Sequence, residues 1–149
     1  MEQVNATQDF LGRETQRTAA CIELYDVQGL WGGWRIYVEG LKRADVELIQ
    51  PGMFERRYEF ALGDEIRRLL DLFVENDFLT VQPGERLGIP DEARPRITLV
   101  NAAGDKWVVA KWAGVKDERF DAIYQALLRL EELTKTMDPV YSGPYEFET

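Results

Sequence analysis

The chain has 149 residues, room for one ordinary domain and too few for two well-packed ones. Its 18 Lys and Arg against 27 Asp and Glu leave a formal net charge of −9. Such a surface repels phosphate backbones and anionic headgroups, so no nucleic acid and no membrane is an expected partner. With no histidine and a single cysteine, the chain lacks the side chains for Ser-His-Asp or Cys-His nucleophiles, His- or Cys-ligated zinc, an iron–sulfur cluster and an internal disulfide.

Residues 1–18 are polar and without clean periodicity, and are expected to form a flexible N-terminal arm. They carry neither a basic start nor an apolar h-region, and no apolar run approaches a membrane span, so a cytoplasmic location is expected. Alternation then marks two strands. In CIELY, Ile22 and Leu24 alternate with Glu23 and Tyr25; in WRIYVE, Trp34, Ile36 and Val38 alternate with Arg35, Tyr37 and Glu39. Between them lies DVQGLWGGW, whose three glycines predict an antiparallel hairpin with a long connection. VELI (46–49) and ERRYEFAL supply two further strands across the Pro51-Gly52 turn signal.

The period changes after Leu62. Ile66, Leu69, Leu70, Phe73 and Val74 form the apolar stripe of a helix lying on a core, with Asp64 and Glu65 at the positive end of its dipole. VQPGERLGIPDEARPR (81–96) has three prolines and two glycines and is expected as a long irregular loop. A hairpin follows in RITLVNAAGDKWVVAKW, with Gly104 as the positive-φ residue of its turn. Phe120, Ile123, Leu127 and Leu130 define a second amphipathic helix, for which Asp117 is the expected N-cap. Residues 135–149 are expected as an extended, aromatic C-terminal tail that either docks on the sheet or stays loose.

The order β-β-β-β-α-loop-β-β-α predicts an α+β fold over residues 19–134: an antiparallel sheet of about six strands with two amphipathic helices on one face. The other face would carry Tyr25, Arg35, Tyr37, Glu39, Arg57 and Glu59. The elements from EIRRLLDLF through NDFLTV, ITLVNAAGDKWVVAKWAG and DERFDAIYQALLRL resemble small bacterial α+β domains of unknown function, over roughly residues 20–133 as an order of elements. The resemblance implies the same fold and no assigned activity. The WGGW loop and the Tyr-rich tail depart from it.

The candidate sites are few. Glu85, Asp91 and Glu92 in the long loop are the carboxylates available for a hard cation or a hydrolase, but Arg86, Arg94 and Arg96 lie among them, which favours pairing within the loop. Cys21 has no neighbouring histidine or lysine to activate it and is expected as a buried small hydrophobe. Trp34 shares the alternation of Ile36 and Val38 and belongs with the core. Trp31, flanked by Gly29, Gly32 and Gly33, is either an exposed anchor or tucked over the sheet edge. With catalytic residue types missing, the leading expectation is a non-enzymatic domain that binds another protein, a basic one by charge, through an acidic surface bearing Trp31, Tyr25, Tyr37, Trp112 and Tyr145. The alternatives are a small-molecule binder with Tyr37, Trp112 and Tyr145 lining a cup on the open sheet face, and a carboxylate enzyme. No cofactor is expected, and a homodimer through a strand edge stays open.

Overall fold

The structure is a computed structural model that describes residues 5–28, 31–40, 42–52, 54–84, 87, 89 and 92–145. Its fold is α+β, with, among the described residues, an antiparallel sheet of seven strands in the order β6-β5-β1-β2-β3-β4-β7 and four α-helices. The strands are β1 (Cys21–Gln28), β2 (Gly32–Glu39), β3 (Arg43–Gln50), β4 (Phe54–Phe60), β5 (Arg96–Val100), β6 (Lys106–Ala110) and β7 (Tyr141–Pro144). The helices are α1 (Ala6–Leu11), α2 (Glu14–Arg17), α3 (Glu65–Glu75) and α4 (Glu118–Glu132).

Period-two alternation sorts the sheet into two faces. Ile22, Leu24, Ile36, Val38, Ala44, Val46, Ile97 and Leu99 are fully buried against the helices. From above, α3 contributes Ile66, Leu69, Leu70 and Phe73, and α4 contributes Phe120, Ile123, Leu127 and Leu130, so both predicted stripes are the faces that pack. Asp117 caps α4 by accepting the Phe120 N–H at 2.9 Å, leaving one fewer unsatisfied donor in its first turn. The helix α3 stops at Asn76, and Asp77 follows in the left-handed region (φ 41°), turning the chain so that Phe78 packs edge-on to Phe73 at 4.9 Å.

Three expectations need correction. Residues 6–17 of the supposed arm fold as α1 and α2, and Thr7 and Leu11 are buried. The anchor is remote in sequence: the Asp77 carboxylate accepts from both the Thr7 N–H (3.0 Å) and the Thr7 hydroxyl (2.7 Å), while the Thr7 hydroxyl oxygen accepts the Leu79 N–H (3.0 Å). The strand count is seven rather than about six, because the tail takes the docked of its two options: β7 pairs with the free edge of β4 with Tyr141 opposite Arg57. The connection from β1 to β2 is short, since Gln28 already pairs with Gly32.

Candidate functional site

The two glycines of WGGW lie inside β2. Gly32 has φ +77° and Gly33 φ +145°, and a Cβ would sit 2.1 Å from the Ile49 carbonyl oxygen at Gly32 and 1.8 Å from the Asp26 carbonyl oxygen at Gly33. Glycine is required because β3 and β1 approach the backbone from both sides. Trp31, immediately before them, donates its N–H to both the Gln28 carbonyl (3.2 Å) and the Gln28 side-chain oxygen (3.0 Å). The result is an indole held by bonded backbone and 67% exposed. Gly29, the third flanking glycine, lies outside the described residues. Trp34 is half-buried on the helix face, beside Asp26 and Leu48 in register.

The β1–β2 and β3–β4 hairpins turn at the same end of the sheet. That end also carries Phe54, exposed at the start of β4 opposite Gln50. Two neighbouring hairpin tips therefore each show a large aromatic.

The open face is a self-paired charge ladder. Arg96 meets Glu23 (3.5 Å), Glu23 meets Arg35 (3.2 Å), Arg35 meets Glu47 (3.7 Å), Glu47 meets Arg57 (3.6 Å) and Arg57 meets Glu55 (3.4 Å), running from β5 to β4. Arg96 also stacks over Tyr25 at 5.0 Å and Arg57 over Tyr141 at 5.3 Å. By register the face holds six carboxylates (Glu23, Glu39, Asp45, Glu47, Glu55, Glu59) against five cations (Arg35, Arg43, Arg57, Arg96, Lys106), so it contributes little of the net −9. Burial raises the Glu47 carboxyl above its usual range against the pull of Arg35, and the neighbouring Glu55, hydrogen-bonded to it, adds to the rise. Asp45 is raised by burial as well.

The aromatics singled out from the sequence divide among four places. Tyr145 is buried over the face, its hydroxyl pushed up by desolvation and by a hydrogen bond with Tyr25, so the tail brings these two together. Tyr37 pairs instead with Cys21: that hydrogen bond, followed by burial, pushes its hydroxyl up to about 12. Cys21 is half-buried on the open face rather than in the core, because it follows Glu23 in the alternation. Beyond the end of β6, Trp112 lies beneath the Arg94 guanidinium at 5.1 Å. Trp31 stands apart at the hairpin tip. Tyr37, Trp112 and Tyr145 thus each meet a different partner.

Glu85 and Asp91 lie outside the described residues. Glu92 spends both oxygens on backbone, accepting the Ile89 N–H (3.2 Å) and the Gly114 N–H (2.6 Å), which ties the long loop to the turn after β6. Among the described residues, no group of three or more Cys, Asp or Glu is arranged to hold a metal ion, and no helix is long and apolar enough to cross a membrane.

Three open clefts occur elsewhere. One of about 780 Å³ lies between α1–α2 and α3, where Arg67 already pairs with Glu14 at 3.2 Å. A second, of about 630 Å³, runs between segment 79–83 and β6. The third, of about 600 Å³, lies between β4 and the tail. None takes a side chain from Trp31, Tyr25, Tyr37, Trp112 or Tyr145.

Sequence reading missed Phe54 and the buried Glu47–Glu55 pair. The signal for Phe54 was its position just after a Pro-Gly turn. Nothing local marked the Glu pair, because its burial comes from the tail and the neighbouring strands. No protein-family model, curated protein or solved structure matches the chain.

Proposed function

We propose that the protein is a non-enzymatic interaction domain that docks on a partner protein through the hairpin end of its sheet, with Trp31 as the anchor and Phe54 beside it. The observation that carries the reading is the presentation of Trp31, an exposed indole on a backbone whose N–H is shared between two acceptors, followed by a glycine pair that admits no other residue. An ordered backbone at Trp31 leaves mainly the indole's own rotamer freedom to be lost on binding, and tryptophan is among the residues that dominate interface energetics once desolvated. The net charge of −9 favours a basic partner through long-range steering. The ladder carboxylates are already paired with arginines, so the aromatic end supplies the contact and the overall field supplies the approach.

The test is retention of a partner from source-cell lysate on immobilised wild type, Trp31→Ala and Phe54→Ala at low and moderate salt. The expected result is a specific band held by wild type, weakened by salt and lost from Trp31→Ala, with all three proteins melting at similar temperatures. A band held equally by all three would refute the assignment of the surface, and no band on wild type would refute the reading itself.

A further inference from the structure

The second cleft goes beyond the aromatic end and uses a different part of the molecule. It runs along the outer side of β6, the terminal strand of the sheet. The phase of the β5–β6 ladder is fixed by two flanking bonds: the Asn101 N–H donates to the Asp105 carbonyl, and the Lys111 N–H to the Pro95 carbonyl, both at 3.0 Å. Period-two alternation then directs the backbone groups of Trp107 and Val109 toward β5, and those of Lys106, Val108 and Ala110 away from it. Each of these three residues presents one N–H and one C=O along the edge, and no backbone partner for them exists among the described residues.

Edges of this kind are normally blunted. The opposite edge is: β7 has four residues and ends in Pro144. On β6 the only such device is Lys106, at one end. Its middle is apolar and open, with Val108 50% exposed and Trp107 42% exposed. The facing wall of the cleft is apolar too, built from Leu79, Val81 and Pro83.

Among the described residues one charged side chain lines this cleft, and it is a cation. Arg94 makes no ion pair among the described residues, and its guanidinium is held over the Trp112 ring at 5.1 Å. An arginine without an ion pair among the described residues, at the end of an apolar strand edge, has the chemistry to receive a carboxylate. We propose that the groove between β6 and segment 79–83 binds an extended, carboxylate-bearing peptide strand of a partner protein by strand addition. Main-chain bonds to Lys106, Val108 and Ala110 would hold its backbone, Trp107 and Leu79 would take an apolar side chain, and Arg94 would take the acid. Five residues of β6 extend over about 16 Å, enough for a segment of five or six residues. A second copy of this chain is the poorer occupant. Self-pairing about Val108 sets Lys106 opposite Ala110, offers Arg94 no carboxylate from β6, and brings two chains of −9 together.

The probe is a displayed library of random heptapeptides selected on the full chain, followed by titration of one enriched, fluorescein-labelled peptide by fluorescence polarisation. The expected peptides alternate apolar residues with at least one Asp or Glu, and binding slows amide exchange at Val108 and Ala110. Val108→Pro removes an outward N–H without touching the β5 ladder and weakens binding about tenfold or more. Arg94→Glu weakens it by a similar factor, and replacing the peptide's acid with Lys restores binding to that variant alone. The proposal is overturned if no sequence is enriched, or if affinity ignores both substitutions. It is also overturned if wild type sediments as a dimer that Val108→Pro dissociates, since the edge then belongs to a second copy.

Discussion

Replacing Gly33 by alanine tests whether the WGGW glycines are a built part of the sheet or a flexible hinge, because the two accounts predict opposite signs. The new Cβ would lie 1.8 Å from the Asp26 carbonyl oxygen, and its residue would have to hold φ +145°. A side chain in such a sparsely populated region costs about 1–3 kcal/mol. Relieving the contact means pushing β1 from β2 at Asp26, and each ladder bond lost there adds about 1 kcal/mol. With one bond lost, the expected destabilisation is therefore about 2–4 kcal/mol. For a chain of this length, an unfolding entropy of about 2.1 cal/mol/K per residue converts that to a fall in Tm of about 10 °C. Circular-dichroism melts with parallel urea titrations read it directly. A solvent-exposed hinge would instead gain about 0.4–1 kcal/mol from alanine, through loss of unfolded-state freedom. An unchanged or raised Tm would refute the reasoning.

Two further substitutions probe other joints of the structure. Thr7→Val keeps the shape but leaves the Leu79 N–H without its acceptor and removes one of two donors to Asp77, so the urea midpoint should fall by the equivalent of about 1–3 kcal/mol; an unchanged midpoint would mean α1 is not docked. Asp26 lies beneath α4, where burial raises its carboxyl above the ordinary 3.8 and the Tyr124 hydroxyl, donating to it, pulls it part of the way back. A raised folded-state value means the native state favours the protonated form, so this contribution to stability is full below 3.8 and is lost as pH rises through the folded value. Asp26→Asn should accordingly gain on wild type as pH is raised from below 3.8 to about 7. A stability difference that does not vary with pH would contradict this.

What was legible in the sequence was whatever local periodicity encodes. The stripes Ile66-Leu69-Leu70-Phe73 and Phe120-Ile123-Leu127-Leu130 are the packed faces of α3 and α4, and the alternation in CIELY and WRIYVE gave the faces of β1 and β2. What escaped depends on partners distant in the chain. YSGP has no strand pattern of its own, and it is a strand because β4 offers an edge. ATQDFL is too short to declare itself a helix without Asp77, seventy residues away. The glycines of WGGW read as part of a long connection because composition does not reveal that neighbouring backbones fill the space around them. The candidate site was half legible. Trp31 takes the exposed one of the two positions its lack of alternation left open, whereas the tyrosines of the open face are occupied by Arg96, Cys21 and the tail.

The central claim is that Trp31 is contact surface. Its most direct test is the affinity of the captured partner for wild type and for Trp31→Ala, measured by surface plasmon resonance alongside thermal melts of both proteins. An exposed indole that becomes buried on binding contributes about 2–4 kcal/mol, so Kd should rise by at least about 30-fold while Tm stays within about 2 °C. An unchanged Kd with an unchanged Tm would contradict the claim.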